Sequence, residues 1–153
     1  MGRIWAIGIL ALLTAAASVS MSAQPAGKLI VYGDMTIFLG PGKEGNCTLK
    51  NRYKRGEPVG WRIFVADPET AELERSAEPV VHLNYGGRIQ DIPMRFRATA
   101  KEPERQFWVA KWVVPDDAPI GIVRYTVSAR DQRGRTGEFK PFDVDASQLT
   151  IVE

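Results

Sequence analysis

From Lys28 onward, apolar and polar residues alternate along most of the chain with the period of two that is typical of β-strands. In Trp61–Ala66, for example, Trp61, Ile63 and Val65 share one face. The alternation predicts strands over these segments: Lys28–Tyr32, Met35–Leu39, Trp61–Ala66, Val80–Tyr85, Arg88–Ala98, Gln106–Val114 and Ile122–Ala129. The apolar positions that complete the set are Phe139, Phe142, Val144, Leu149 and Ile151.

Turn-forming residues separate these segments at short intervals. Gly33-Asp34 and Gly86-Gly87 are typical of tight turns, and Asp67-Pro68 ends a strand because proline cannot donate to a ladder. The one helical turn that the pattern favours lies around Glu69–Arg75. Many strands with no alternating helices predict an all-β fold, an antiparallel β-sandwich of seven to nine strands.

Three segments indicate how such a sandwich is filled. Gln106–Val114 is apolar on both faces, as a central strand is expected to be, and its tryptophans project to one side. The odd-numbered residues of Ile122–Ala129 are expected to point inward. Arg88–Ala98 is expected to be one half-buried strand whose outer face is cationic through Arg95 and Arg97.

The N-terminus has the pattern of a secretory signal peptide. A positive charge precedes the apolar run Ile4–Ala17, and small residues follow it. We expect cleavage after Ala23, or after Ser20 as second choice, which leaves one domain, residues 24–153, after a signal peptide, residues 1–23. The alternative is a retained membrane anchor, but the run is shorter than the roughly 20 residues that span a bilayer. The expected location is periplasmic or extracellular, with no integral membrane segment after cleavage.

The single cysteine and the charge balance limit the chemistry. Cys47 is the only cysteine, so no disulfide can form within the chain. We expect Cys47 to be a buried small hydrophobe in a short strand-like stretch, with a redox site or a bond to another chain as the alternative. The formal net charge of +2 argues against a nucleic-acid partner, which would require a strongly basic face.

The stretch Gly56–Phe142 resembles bacterial secreted immunoglobulin-like domains. Those domains carry a Gly-x-x-Val strand start, an Asp-ended strand, a Pro-x-x-Ala-Pro-x-Gly loop, a Tyr-x-Val strand and an Asp-x-x-Gly turn. The matching residues are Gly56, Val59, Asp67, Pro115, Ala118, Pro119, Gly121, Tyr125, Val127, Asp131 and Gly134. The resemblance implies a scaffold used for adhesion, spacing or docking onto a larger exported partner, and it does not choose among these.

The resemblance also implies a role for Tyr125. Immunoglobulin-like domains contain a corner tyrosine whose hydroxyl bonds to nearby backbone, and Tyr125 is the candidate for it. The cysteine pair that bridges the sheets of antibody domains is missing, and the tryptophan-rich strand is expected to fill that space.

The sequence contains no recognisable catalytic or metal-binding motif. His82 is the only histidine, so a Ser-His-Asp or Cys-His mechanism would have to use it, and alternation with Val81 and Leu83 places it on the opposite face. Copper and zinc sites need more histidine and cysteine ligands than the chain has. Turn formation explains Asp116-Asp117, with a calcium site among the loop aspartates as the alternative. We therefore expect no enzymatic activity and no cofactor.

Two groups of basic residues are expected to bind a partner, because charged groups steer encounter and set specificity. Arg88, Arg95 and Arg97 form the first group, on the outer face of their predicted strand. Lys50, Arg52, Lys54 and Arg55 form the second, which is otherwise a solvated strand end.

These patterns together predict an exported, non-enzymatic accessory domain. It would dock to another exported protein or protein complex through a sheet face or an edge strand. One alternative is a carbohydrate-binding module that stacks glycans on surface aromatics, and another is a non-catalytic small subunit of an exported enzyme. The aromatics in question, which otherwise fill the core, are Trp61, Phe107, Trp108 and Trp112.

Overall fold

The computed structural model describes residues 27–99 and 102–153, so the predicted signal peptide lies outside the described residues. In these ranges a 3₁₀ turn at Asp145–Ser147 is the one helical element, and no helix is long and apolar enough to cross a bilayer. The strands are β1 (Ile30–Ile37), β2 (Arg52–Tyr53), β3 (Pro58–Ala66), β4 (Val80–Tyr85), β5 (Arg88–Pro93), β6 (Arg95–Thr99), β7 (Glu102–Val113), β8 (Gly121–Arg130), β9 (Thr136–Phe139) and β10 (Leu149–Ile151). The predicted all-β class is confirmed.

The strands form two sheets. One has four antiparallel strands in the order β1-β3-β7-β6. The other has the order β2-β10-β8-β4-β5, with β9 also paired to β8, and its single parallel pair is β2–β10. Two antiparallel-rich sheets around a shared core are compatible with a β-sandwich.

Inward-facing side chains of both sheets form one hydrophobic core. Trp61, Trp108 and Trp112 are 1%, 2% and 5% exposed, so the prediction that they fill the core is confirmed. Trp61 packs edge-on against Tyr125 of the opposite sheet, with ring centroids 5.7 Å apart. The odd-numbered residues of Ile122–Ala129 are all buried, as predicted.

The predicted turn at Gly33-Asp34 is wrong, because β1 runs unbroken through both residues. A Cβ atom at Gly33 would lie 2.0 Å from the carbonyl oxygen of Arg62. The glycine therefore serves the close approach of β1 to β3, and Asp34 pairs with Arg62 across the two strands.

The prediction of one strand over Arg88–Ala98 is also wrong. The chain leaves the larger sheet after Pro93 and enters the smaller sheet at Arg95, with the N–H of Met94 bonded to the carbonyl of Pro79 at 3.0 Å. The alternation continues across this crossing, which is why the pattern does not reveal it. The described residues contain ten strands, more than the predicted seven to nine. One reason is this change of sheet, and another is that the two-residue β2 is too short to alternate.

No helix forms at Glu69–Arg75, and a single turn, closed by the N–H of Ala71 on the carbonyl of Asp67 at 2.8 Å, overlaps the start of this segment. Ile63 is the last residue of β3 that pairs with β7. The residues of β3 after Ile63 bond instead to the loop that follows this strand. Leu73 bridges to Ala66, and the N–H of Glu74 bonds to the carbonyl of Val65 at 2.9 Å. These bonds satisfy the backbone of the end of β3, and a helix would leave it without them.

An ion-pair network joins this loop to the turn between β8 and β9. The guanidinium of Arg135 donates to Asp131 at 2.7 Å, to Asp67 at 2.6 Å and to Glu74 at 2.5 Å. The hydrogen bond from Arg135 holds the pKa of Asp67 far below its ordinary value. Burial alone would raise the pKa of Asp131, but hydrogen bonds from Arg135 lower it overall. Ion pairs with Arg135 therefore hold the turn Asp131–Gly134 against the loop after β3.

Cys47 differs from its prediction as a buried residue of a strand-like stretch. It is half-buried, lies in a turn and has a φ of 64°, the left-handed conformation. The N–H of Thr48 bonds to the carbonyl of Gly45 at 3.2 Å, which closes a turn with Cys47 at its third position. A positive φ at the third position but not at the second is typical of a type II turn, which requires it.

The described residues include no bond from the hydroxyl of Tyr125 to backbone, so that prediction is wrong, and Tyr53 makes a bond of this kind. The hydroxyl of Tyr53 donates to the carbonyl of Lys50, three residues upstream, at 2.8 Å. Tyr125 packs in the core, where burial raises its pKa to about 12.

Candidate partner-binding surface

An aromatic row crosses the outer face of the four-stranded sheet. Register places Tyr32 of β1 beside Phe64 of β3, and their ring centroids are 5.2 Å apart. Phe107 of β7 continues the row, 5.6 Å from Phe64. The guanidinium of Arg97 on β6 lies 5.4 Å from the centroid of Phe107. One line of side chains, named here the aromatic row, therefore spans all four strands.

The local sequence explains why these rings face outward. In β3 the buried residues Trp61, Ile63 and Val65 leave Phe64 on the opposite side, and in β7 the buried Trp108 does the same for Phe107. Exposure rises from Phe107, at 7%, to Tyr32 at the sheet edge, at 49%. Tyr32 and the half-buried Phe64 therefore form the part of the row that a partner could contact, and Phe107 supports them from below the surface.

The rings of Tyr32 and Phe64 stack on each other. Their planes differ by 12°, and their centroids are 5.2 Å apart, close to the spacing of neighbouring strands. Each ring therefore covers part of one face of the other. A platform for sugars needs ring faces that are open to solvent, and this stacking leaves less of them open.

A row of charged residues, named here the charged row, runs beside the aromatic row on the same face, two residues away along each strand. Arg62 donates to both carboxylate oxygens of Asp34, at 2.7 and 2.6 Å, and these bonds raise the pKa of Arg62. Arg95 of β6 is aligned with Val109 of β7 in this row, and Lys111 follows in β7. Arg95 and Lys111 form no ion pair with the described residues. The β6 side of the face is consequently cationic.

Arg88 lies away from this face, although the sequence analysis grouped it with Arg95 and Arg97. It is in β5, in the larger sheet, and donates to Asp117 at 2.6 and 3.1 Å. The hydrogen bond from Arg88 lowers the pKa of Asp117. This pair fastens the acidic loop to the β4–β5 hairpin.

The second predicted group, Lys50–Arg55, lies at β2, on the larger sheet. Lys50 is bonded to both carboxylate oxygens of Glu57, at 2.6 and 2.8 Å, and the Nε of Arg55 donates to the carbonyl of Ala118 at 2.9 Å. Burial alone would raise the pKa of Glu57, but the bond from Lys50 lowers it overall. The side chains of Arg52 and Lys54 are exposed.

His82 is on the outer face of the larger sheet, as predicted, and has two partners that the sequence analysis missed. Its Nδ1 is 2.7 Å from a carboxylate oxygen of Asp91, and its Nε2 is 2.7 Å from the hydroxyl of Ser128. Because Asp91 accepts from Nδ1, the neutral imidazole accepts from Ser128 through Nε2. Only strand register, which places β4 between β5 and β8, could have revealed this set.

The order of these bonds is that of a Ser-His-Asp triad, but the surroundings do not favour catalysis. Ser128 is aligned with Val80 on one side and Glu138 on the other, so the two ladders use the backbone N–H groups that could stabilise an oxyanion. Glu138 would also repel a negative charge at Ser128. We interpret the set as polar cross-strand contacts that stabilise the sheet.

Two clefts open where β9 ends and β10 begins. A cleft of about 390 Å³ lies towards β1, and another of about 350 Å³ lies beside His82; Tyr125 and Pro141 border both. Residues 27–99 and 102–153 contain no group of three His, Cys, Asp or Glu side chains placed to hold a metal ion.

Comparison of the chain with protein-family models, with curated proteins and with solved structures finds no match.

Proposed function

We propose that this protein is an exported, non-enzymatic binding domain that docks another exported protein through the outer face of its four-stranded sheet. The observation that carries the proposal is the aromatic row with Arg95 and Arg97 beside it. Aromatic and arginine side chains are the residues most enriched at the energetic centres of protein interfaces. The signal-peptide pattern supports export.

The charges favour an acidic partner over a second copy of this chain. A two-fold contact between identical faces would bring Arg95, Arg97 and Lys111 of one copy near the same residues of the other. Asp34, the carboxylate of the charged row, is already paired with Arg62. An acidic surface with an apolar groove would complement both the cations and the exposed ring of Tyr32.

Glycan binding has weaker support. The tryptophans on which that alternative depends are buried, and Tyr32 and Phe64 cover part of each other's ring faces.

We further infer that the sandwich is of the immunoglobulin-like kind. Its support is the arrangement of two antiparallel-rich sheets, the Asp131–Gly134 turn, and the tyrosine-to-backbone bond made by Tyr53.

The partner can be found by placing a photo-crosslinking amino acid at Tyr32 in the full chain, in its source cells. The crosslinked protein is identified by mass spectrometry, purified and titrated against the domain. Arg95→Glu with Arg97→Glu should weaken binding at least tenfold, because two attractive contacts become repulsive. The melting temperature should stay nearly unchanged, since both side chains are on the outer face.

The matched control is Arg124→Glu with Arg130→Glu, the same change of charge on the outer face of β8. It should leave affinity unaltered. A third variant, Arg52→Glu with Lys54→Glu, tests whether the second basic group contributes. Equal binding by the Arg95 and Arg97 variant and by the unmodified domain would contradict the proposal. A partner that is itself an enzyme would favour the small-subunit alternative.

A further inference from the structure

Asn46-Cys47-Thr48 is an Asn-x-Thr sequence, the acceptor pattern for N-linked glycosylation. The chain has two other asparagines, Asn51 and Asn84, and neither is followed at the second position by serine or threonine. The pattern alone is short and arises by chance. Its position in the structure is what gives it weight.

The pattern lies at the end of an exposed loop built from consecutive turns, and Asn46 itself is half-buried. Asn46 is the second residue of the turn closed by Gly45 and Thr48, and residues 41–45 before it are all exposed. No Cβ added at Gly42 or Gly45 would meet another atom within 4 Å, so the surroundings of the loop are open. A bulky transferase and a glycan therefore have room at this loop.

The carboxamide of Asn46 is oriented for modification. Its oxygen, Oδ1, accepts a hydrogen bond from the N–H of Gly40 at 3.1 Å. Its nitrogen, Nδ2, forms no hydrogen bond with the described residues. Glycosylation replaces one hydrogen on Nδ2 and leaves Oδ1 as an acceptor, so the loop can keep its fold.

We propose that Asn46 is an N-linked glycosylation site, which takes an oligosaccharide from a lipid diphosphate donor. In the transfer, Nδ2 attacks the anomeric carbon, the new C–N bond forms, and the bond from that carbon to the diphosphate oxygen breaks. The lipid diphosphate leaves with the electron pair, and a base of the transferase takes the amide proton. Glu44 supplies a carboxylate two positions before Asn46, where a transferase that holds the acceptor loop would contact it.

The site rests on the proposed export but not on the docking face. Ile37, the last residue of β1, is five residues from Tyr32, about 17 Å along the strand, and the loop lies beyond it. A glycan on Asn46 would therefore leave the aromatic row open. It would instead cover the neighbouring Cys47 and the exposed Leu49.

The test begins in vitro, where export plays no part. Purified folded chain is incubated with a bacterial oligosaccharyltransferase and its lipid-linked oligosaccharide, beside an acceptor peptide as positive control. We expect a mass increase of one glycan that maps to Asn46. Asn46→Gln, Thr48→Ala and Glu44→Gln should abolish the increase, whereas Thr48→Ser should keep it.

A folded chain that stays unmodified while the control peptide is glycosylated would overturn the proposal. So would modification of the urea-unfolded chain alone, because the folded loop would then hide the acceptor. The full chain, expressed with its own N-terminus in cells that hold the transferase in the periplasm, should carry the glycan in that compartment. An uncut chain in the cytoplasm would refute export and leave the in vitro result standing.

Discussion

Two arginine-rich regions of this molecule use the same side chain in opposite ways. Arg135 is largely buried and its guanidinium is shared among three carboxylates, so its bonding capacity is used within the fold. Arg95 lies on an outer sheet face beside the aromatic row and forms no ion pair with the described residues. The difference between Arg135 and Arg95 shows that the carboxylates around an arginine, and not the arginine itself, separate a structural role from one in binding.

The largest effect on stability is expected from Arg135→Met. The variant keeps the length of the side chain but leaves Asp131, whose side chain has no exposed surface, with only the longer contact of 3.6 Å to the Nε of Arg133. The melting temperature should fall by several degrees or more, measured by thermal denaturation. Arg133→Met is the matched control, since Arg133 is 61% exposed in the same network, and it should change the melting temperature little.

Acid should also separate the two regions. The pKa values of Asp67, Glu74 and Asp131 are lower in the folded chain than the ordinary values of 3.8 and 4.5, so protonation favours unfolding. Their contribution to stability is complete at neutral pH and is lost as pH falls below those ordinary values, through the folded pKa values. Arginines do not titrate there, so the cationic face contributes no such dependence.

The measurement is the urea midpoint at several pH values, for the unmodified chain and for Asp67→Asn with Glu74→Gln. The unmodified chain should be the more stable at neutral pH, and the difference should shrink as the solution becomes acidic. A difference that stays constant down to about pH 3 would mean that the network contributes no charge-dependent stability.

In contrast to Arg135→Met, Tyr32→Ala is expected to have a large effect on binding and a small effect on stability. The ring of Tyr32 is half exposed, and its removal takes one stacked neighbour from Phe64. We therefore expect the unfolding free energy to fall by about 1 kcal/mol. Affinity for the crosslinked partner should fall about tenfold or more, as at an interface hot spot. Phe142→Ala, which removes an 81% exposed ring elsewhere, is the control for both measurements.

Much of the fold could be predicted from the sequence because burial imposes local periodicity. The inward faces of β3, β4 and β8, and the tryptophans of the core, followed from alternation alone. The misplaced boundaries depended on distant contacts. Gly33 is explained by the carbonyl of Arg62, and the end of β5 by the change of sheet at Met94.

The candidate site was harder to predict for the same physical reason. Alternation placed Arg95 and Arg97 outward, but their aromatic neighbours belong to strands that are far away in sequence. The prediction that Phe107 is buried is confirmed, at 7% exposed, but a strand that is apolar on both faces does not reveal that Phe107 lies on the side opposite Trp108. Nothing in the alternation distinguishes Tyr32 from the other outward residues of β1. Knowledge of the order β1-β3-β7-β6 would have brought these residues into one row.

The smallest effect on stability is expected from Arg95→Gln with Arg97→Gln. Surface substitutions of this kind change the unfolding free energy by about 0.5 kcal/mol or less. Binding should depend on salt, since exposed charges are screened over roughly 8 to 10 Å near physiological ionic strength. The unmodified domain should lose affinity as salt rises, and the variant should lose less. Equal salt dependence of the two proteins would mean that the partner does not use these charges, and the contrast with Arg135 would then lie only in burial.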